Sequence, residues 1–342
     1  MVIKLGYTRG GGNCILQYEC GKISEKGRRS HMKKKTRKIW KRLTAMVACI
    51  SMAVNAGMAY HTVLSEAYVR PETGNVAEAS AVSVSSHKQF INKIYKMALK
   101  RDSSGVFYCN GNGSKIFDGN VDTLLREVCA IDKKTSDDAD YLANSMASVN
   151  VRTKQEYAGN RIMSTEFTVR IQYRETAEQL AAVNVRVKEV LDRLKVKGKS
   201  DYKKVKLIHD YIVNNTSYQF SSNCYAAYGA LVEGRAVCQG YAQLAYKMLT
   251  EAGVKCYVIT GKANNGRGTQ NHAWNMARVG KKWYYLDVTW DDPVGGGDVL
   301  RHDYFLVGKS QFEKNHTASV EFRNKIKKVS KQNHKKWKEL QR

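Results

Sequence analysis

A cysteine, a histidine and an aspartate in the second half of the sequence have the residue types that nucleophilic catalysis by sulfur requires. They are Cys238, His272 and Asp287, in that chain order. A thiolate attacks a carbonyl carbon, an imidazole takes up and returns the proton, and a carboxylate fixes the imidazole tautomer. Each residue alone also has an inert interpretation, as a core thiol, a strand histidine or an aspartate beside a turn. Their combination favours chemistry, provided that the fold brings them together.

Cys238 opens a segment with the period of an amphipathic helix, which Gly253 ends. Its apolar positions recur in steps of three and four: Tyr241, Leu244, Ala245, Met248, Leu249 and Ala252. This spacing places Cys238 on the buried side of the first helical turn. Unpaired N–H groups and the positive end of the helix dipole stabilise a thiolate there. Because an isolated cysteine in such a place is more often a core residue, its partners must decide.

A predicted hairpin supplies those partners. If Gly280–Lys281 form a two-residue turn, His272 lies opposite Thr289. Side chains alternate along a strand, so Asp287 shares the face of His272 and lies one diagonal step away. Diagonal Cβ atoms are about 7–8 Å apart, which allows a His–Asp hydrogen bond. A three-residue loop would shift the register by one residue and separate the two side chains.

Three motifs, "AVCQGYA", "HAWN" and "WYYLDVTWDDP", occur in this order. Together they resemble the transglutaminase-like cysteine-protease superfamily, especially its secreted bacterial members, over about residues 200–316. The resemblance implies a papain-like α+β core, in which a cysteine helix packs on an antiparallel sheet. It also implies that Cys238 is the nucleophile, His272 the general base and acid, and Asp287 the orienting carboxylate.

Several neighbouring residues have two interpretations. Gln239 either lines the site or is an exposed residue of the first helical turn. Trp274 and Trp290 either shield the thiolate–imidazolium pair from water or, slightly favoured, form the hairpin core. Gly240 is expected to permit close packing of the helix on the sheet, and the Cys238 N–H is a natural oxyanion donor.

No cofactor and no metal site are predicted. Asp291 and Asp292 could bind a cation together with Asp298, but a solvated loop is the favoured interpretation, since their spacing matches no known calcium loop. His209 falls beside the apolar stripe of a predicted helix that starts after Ser200, and we interpret it as structural.

The fold class is therefore α+β, with a papain/transglutaminase-like core preceded by a small α+β domain. The predicted organisation runs as follows: residues 1–31, an untranslated or disordered extension before a start at Met32; 32–67, a signal peptide; 68–86, a linker; 87–195, the small α+β domain; 196–320, the transglutaminase-like catalytic domain; and 321–342, a basic tail.

Charge is unevenly distributed along the chain. Residues 1–42 carry +11 and residues 321–342 carry +7, which leaves +8 of the total of +26 for the chain between them. A basic stretch before an apolar run, Leu43 to Ala59, is typical of a secretory signal, with an uncleaved membrane anchor as the alternative. The mildly basic middle argues against a nucleic-acid partner. The basic tail could instead contact an anionic cell wall or membrane surface.

These features predict a secreted or cell-surface enzyme that acts on a protein or peptide substrate. Its chemistry would be cysteine-dependent acyl transfer on peptide or glutamine carboxamide bonds through a thioester. Hydrolysis, as in a protease or amidase, is slightly favoured over amine cross-linking, because no motif for an amine site is visible. The alternative is a catalytically inert cell-surface binding protein that retains the fold.

Overall fold

A computed structural model of the chain describes residues 81–131, 135–137, 139–292 and 300–341. The predictions for residues 1–80, including the extension and the signal peptide, lie outside the described residues. The helices are α1 His87–Lys100, α2 Val121–Cys129, α3 Asp140–Ser145, α4 Ala177–Arg193, α5 Asp201–Asn215, α6 Ala227–Leu231, α7 Cys238–Glu251, α8 Lys309–Phe312 and α9 Arg323–Ile326. The strands are β1 Val82–Ser83, β2 Ser104–Asn110, β3 Met146–Ala158, β4 Arg161–Tyr173, β5 Ser217–Tyr218, β6 Arg235–Ala236, β7 Cys256–Asn264, β8 Thr269–Val279, β9 Lys282–Leu286 and β10 His316–Ala318.

The first half of the described chain forms a four-stranded sheet in the order β1-β2-β4-β3, with α1 packed on one face. Side chains alternate along β4, so that Phe167, Val169 and Ile171 are buried on that face. Phe90 of α1 packs between Phe107 and Phe167, with ring centroids 5.3 and 5.1 Å away. The strand β1 lies at the end of the predicted linker, so this part of the linker pairs with β2.

The second half is built around α7, which is buried along almost its whole length. This helix packs against α4, α5 and α6 and against a second four-stranded sheet in the order β10-β7-β8-β9. The α+β architecture and the predicted cysteine helix packed on an antiparallel sheet are thereby confirmed.

The predicted hairpin register is also confirmed. Strand β8 pairs with β9 so that Val279 faces Lys282 and Asn275 faces Leu286, as a Gly280–Lys281 turn requires. Gly280 has a φ of 60°, which a glycine adopts without strain. The ladder ends at Leu286, and Asp287 is therefore the first residue beyond the strand.

All described residues belong to one compact unit. Helix α4 contributes Val183 and Val187 to the same apolar cluster as α7. A buried ion pair lies near the junction of the two sheets, where Arg101 Nη2 is 3.0 Å from Glu175 Oε1. The division of the chain at residues 195 and 196 stays a prediction.

The segment predicted as a basic tail also packs on the protein. Val329 is buried in a small cluster with Trp274 and Phe312, and Trp337 lies partly buried beside it. Before this segment, Val307 forms an isolated β-bridge with Tyr285 of β9. Among the described residues, no helix combines the length and apolar character needed to span a membrane.

Candidate active site

Cys238 is the first residue of α7, and Val237 precedes it in an extended N-cap conformation. Its side chain is partly buried and packs against the main apolar cluster. The backbone N–H groups of this first turn have no acceptor within the helix. They are therefore free to stabilise negative charge on the sulfur or on a bound oxygen. Cys238 thus occupies the helix position that the sequence predicts.

His272 lies on β8, between Asp287 and the Cys238 sulfur. Its Nε2 donates to Asp287 Oδ2 at 2.6 Å, and the sulfur lies near enough to the ring to raise the pKa of His272. The structure therefore brings the three predicted residues together in the order sulfur, imidazole, carboxylate.

Burial lowers the pKa of His272, but the Asp287 carboxylate and the Cys238 sulfur act more strongly and raise that pKa to about 10. Burial alone would raise the pKa of Asp287. The ring donors of His272 and His316 outweigh it and hold the Asp287 pKa well below its usual range. At neutral pH the pair is consequently an imidazolium and a carboxylate.

Asp287 is held by more donors than His272 alone. Its Oδ1 accepts the backbone N–H groups of Thr289 and Trp290, at 3.1 and 3.2 Å. Its Oδ2 accepts a second imidazole, since His316 Nε2 lies 3.1 Å away. Four donors therefore fix one buried carboxylate, which can hold His272 in a single orientation.

His316 is a residue that the sequence analysis missed. It lies on β10, which pairs with β7 at the edge opposite β9. Burial lowers its pKa, which the Asp287 carboxylate opposes. Its Nδ1 lies 2.7 Å from the Asn315 carboxamide oxygen. A three-residue strand has no detectable period, so only the isolated "NHTA" in the sequence could have drawn attention to it.

Both predicted tryptophans contact the histidine ring. The centroid of Trp274 lies 6.0 Å from that of His272, in a stacked arrangement, and that of Trp290 lies 5.3 Å away. Trp274 is also fully buried in the core beneath the hairpin. The two interpretations are thus compatible, because these rings fill the core and also exclude water from one side of His272.

Gln239 and Gly240 have different contacts from those predicted. The Gln239 side chain is half-buried and donates to the Asn144 carbonyl oxygen at 3.1 Å. A Cβ on Gly240 would lie 2.4 Å from the Cys224 carbonyl oxygen. Gly240 therefore permits close approach of the chain around Cys224, and the expected role in packing α7 on the sheet is wrong.

Tyr218 is a second residue that was missed. The pairing of β5 with β6 sets it beside Ala236, two residues before Cys238. Burial, followed by the nearby Cys238 sulfur, raises its pKa. The phenol therefore stays protonated and can donate a hydrogen bond near the thiol.

The prediction of a solvated loop at Asp291 is wrong. Asp291 is fully buried, and its carboxylate accepts from His209 Nε2 at 3.0 Å and from the Tyr304 N–H at 2.9 Å. Asp292 accepts from the Tyr241 hydroxyl, and Asp298 lies outside the described residues. His209 is buried, as predicted, within this network.

Comparison with known proteins gives a family and a set of distant structural relatives. Residues 188–288 match the model of the transglutaminase-like superfamily, which confirms the resemblance carried by the motifs. No curated protein sequence matches the chain.

Three solved structures match the chain at low identity and low TM-score. One, described as a TGase, is 15% identical, with 61% of this chain and 59% of that chain covered and a TM-score of 0.30. A candidate cysteine protease from Cytophaga hutchinsonii is 15% identical, with 42% and 65% covered and a TM-score of 0.28. The periplasmic domain of TgpA from Pseudomonas aeruginosa, bound to ethylmercury, is 13% identical, with 41% and 65% covered and a TM-score of 0.23. This chain spans less than two thirds of each.

Proposed function

From the transglutaminase-like core at residues 188–288, we propose that this chain is a cysteine-dependent acyl-transfer enzyme acting on peptide or glutamine carboxamide bonds. One observation carries the proposal: the His272 ring donates to Asp287 and lies beside the sulfur of Cys238, the first residue of a buried helix. A merely structural thiol has no need of a histidine and a carboxylate aligned behind it.

The mechanism follows from this order of groups. The Cys238 sulfur, as thiolate, attacks the carbonyl carbon and forms a C–S bond, while the carbonyl π electrons move to oxygen. The N–H groups at the start of α7, that of Cys238 included, stabilise this oxyanion. His272, as imidazolium, gives its proton to the leaving nitrogen, and the C–N bond breaks to leave a thioester.

Resolution of the thioester reverses the proton flow. The neutral His272 ring takes a proton from an incoming water or amine, whose oxygen or nitrogen attacks the thioester carbon. The sulfur leaves as thiolate and the imidazolium is restored. Asp287 remains ionised throughout and holds the ring, because its four donors favour the carboxylate.

The nature of the acceptor is part of the proposal. We favour hydrolysis slightly, since amine cross-linking needs an additional amine site. The purified protein is incubated with a glutamine-containing protein and a fluorescent amine. New peptide termini or released ammonia support hydrolysis, whereas labelling of the protein supports cross-linking. Cys238→Ala should abolish either product, and a variant with full activity would refute the proposed nucleophile.

A second assay distinguishes the enzyme from an inert binding protein with the same fold. Iodoacetamide should alkylate Cys238 rapidly at neutral pH, and His272→Ala should slow this reaction. Equal rates in the two proteins would favour the inert alternative. The four other described cysteines, all free, report the background rate in the Cys238→Ala variant.

Location and partners complete the proposal. The basic, then apolar, segment at residues 32–67 supports export. A protein or peptide substrate outside the cytoplasm fits this chemistry, and an anionic wall or membrane surface could attract the basic residues after Arg323.

A further inference from the structure

Two histidines and one aspartate form a cluster apart from Cys238, His272 and Asp287. His209 and Asp210 are consecutive residues of α5, and His302 comes from the segment that follows Asp291 in the fold. His209 Nδ1 lies 3.0 Å from Asp210 Oδ1, and His302 Nε2 lies 2.8 Å from the same oxygen. The three ligand atoms all lie within 4.8 Å of one another.

We propose that this cluster is a binding site for a divalent transition-metal ion of the zinc type. The ligands are His209 Nδ1, one oxygen of Asp210 and His302 Nε2. Two imidazoles and a carboxylate are a common ligand set for Zn²⁺, whereas Ca²⁺ and Mg²⁺ prefer oxygen. Ligand atoms around tetrahedral zinc are about 3.3 Å apart. The two nitrogen–oxygen spacings, 3.0 and 2.8 Å, therefore need to open by only a few tenths of an ångström, and the two nitrogens lie within 4.8 Å of each other.

A second shell for one ligand is already built. His209 Nε2 donates to Asp291 Oδ2 at 3.0 Å, and both side chains are fully buried. This hydrogen bond keeps a proton on Nε2, so a metal ion would take the place of the Nδ1 proton, which faces Asp210 Oδ1. Metal-ligating histidines usually have such a carboxylate on the far nitrogen. Asp291 is itself fixed by the Tyr304 N–H.

The cluster is also accessible to an ion. The His209 side chain is fully buried, but those of Asp210 and His302 are 20% and 10% exposed. Water can therefore fill the remaining coordination position. Lys206 contacts the other oxygen of Asp210, which leaves Oδ1 as a monodentate ligand. The Lys206 side chain is 32% exposed, so it can also turn towards solvent.

Occupancy would stiffen the segment that carries Asp287. The Asp291 N–H donates to the Asp287 carbonyl oxygen at 3.3 Å. An ion on His209 therefore connects α5, through Asp291, to the backbone of Asp287. The expected role is stabilisation of the core, with no part in the bond-breaking steps.

The test measures zinc binding by the full-length, tag-free protein. Cys238→Ala serves as the parent, so that zinc does not bind the nucleophilic thiol. After treatment with EDTA, the protein is titrated calorimetrically with ZnCl₂, CaCl₂ and MgCl₂. We expect one Zn²⁺ site, no saturable Ca²⁺ or Mg²⁺ binding, and at least a tenfold weaker zinc affinity in His302→Ala. Zinc should also raise the Tm of the parent and not that of His302→Ala.

His87→Ala is the matched control. His87 also pairs with a carboxylate, that of Glu127, but it lies on α1 and is not part of the proposed metal site. It should bind zinc as the parent does. X-ray absorption on the zinc-loaded parent should give nitrogen and oxygen ligands at about 2.0–2.1 Å. The proposal fails if the parent binds no zinc, if His302→Ala binds it equally, or if sulfur ligands are found. Equal binding would point instead to the second histidine set, His272 and His316 with Asp287.

Discussion

His272 and His316 donate to the same oxygen, Asp287 Oδ2, from strands at different positions of one sheet. The two rings lie 5.6 Å apart between centroids, and both are buried. The backbone N–H groups of Thr289 and Trp290 hold the other oxygen of Asp287, and His316 adds a second donor to the oxygen that holds His272. The direction of the His272 ring towards Cys238 should therefore depend in part on His316, which acts through Asp287.

His316→Gln should therefore impair turnover without weakening substrate binding. Loss of a buried, charge-assisted hydrogen bond corresponds to about 1.5–3 kcal/mol, or roughly a tenfold to hundredfold fall in kcat. We expect KM to be unchanged, because His316 is buried and acts through its hydrogen bond to Asp287. Steady-state kinetics on a peptide or glutamine substrate measure both constants.

His87→Gln is the control for this prediction, since it also removes a histidine beside a carboxylate. It should leave kcat unchanged. A His316→Gln enzyme with normal kcat would show that Asp287 is sufficiently held by His272 and the two backbone N–H groups.

The Asp287→Asn variant should be less stable than the parent, by an amount that depends on pH. The pKa of His272 rises from 6.5 to about 10 on folding, so its stabilising charge is fully present below 6.5 and is lost as pH rises towards 10. The pKa of Asp287 falls from 3.8 on folding, so its contribution is present above that value and is lost as pH falls below it. The parent should thus exceed the variant in unfolding free energy most clearly between about pH 4 and pH 6.5.

Urea denaturation at pH 5, 7 and 9 tests this expectation, and the difference between the proteins should shrink at each step. A difference that stays constant from pH 5 to pH 9 would mean that His272 does not gain a proton on folding.

Gly240→Ala should damage both the fold and the reaction. The added Cβ would lie 2.4 Å from the Cys224 carbonyl oxygen, and a backbone atom cannot relieve the clash by a rotamer change. The start of α7, and Cys238 with it, must shift. Overpacking of this kind costs about 1–3 kcal/mol, and a displaced nucleophile should lower kcat at least tenfold.

Gly105→Ala is the matched control, because the nearest atom to its added Cβ is Met97 Sδ, at the flexible end of a side chain. It should leave kcat unchanged. If the two variants behave alike in thermal unfolding and in kinetics, close packing at Gly240 does not position the nucleophile.

The sequence predicted the site where local rules apply. The period of α7 placed Cys238 in the first turn, and the Gly280–Lys281 turn fixed the register that aligns His272 with Asp287. Both inferences rest on neighbours within one helix or one hairpin. The papain-like α+β core was implied by the resemblance that the three motifs carry.

Contacts between segments that are distant in the chain were not predicted from the sequence. His316 reaches Asp287 because β10 pairs with β7, and no turn links those strands. Asp291 reaches His209 across the core, so its charged side chain is buried in a stretch whose polar, glycine-rich sequence indicates a loop. Hydrophobic patterns report which face is buried, and they carry no information on which buried polar groups will meet.

The buried ion pair of Arg101 and Glu175 leads to the last prediction. Arg101 Nη2 lies 3.0 Å from Glu175 Oε1, and Tyr141 donates to Glu175 Oε2 at 3.0 Å. Burial raises the pKa of Glu175, which Arg101 opposes. Glu175→Ala removes the carboxylate and leaves Arg101 as an uncompensated buried charge. Such a loss costs about 3–5 kcal/mol. Urea unfolding at pH 7 measures this loss of stability. Glu156→Ala, which breaks the exposed pair with Lys154, is the control and should cause no measurable change.

Replacement of both buried partners, as Arg101→Met with Glu175→Leu, should recover most of the stability, because the apolar pair leaves no charge without a partner. If the double variant is no more stable than Glu175→Ala, the pair stabilises the fold through its hydrogen bonds and not through charge compensation.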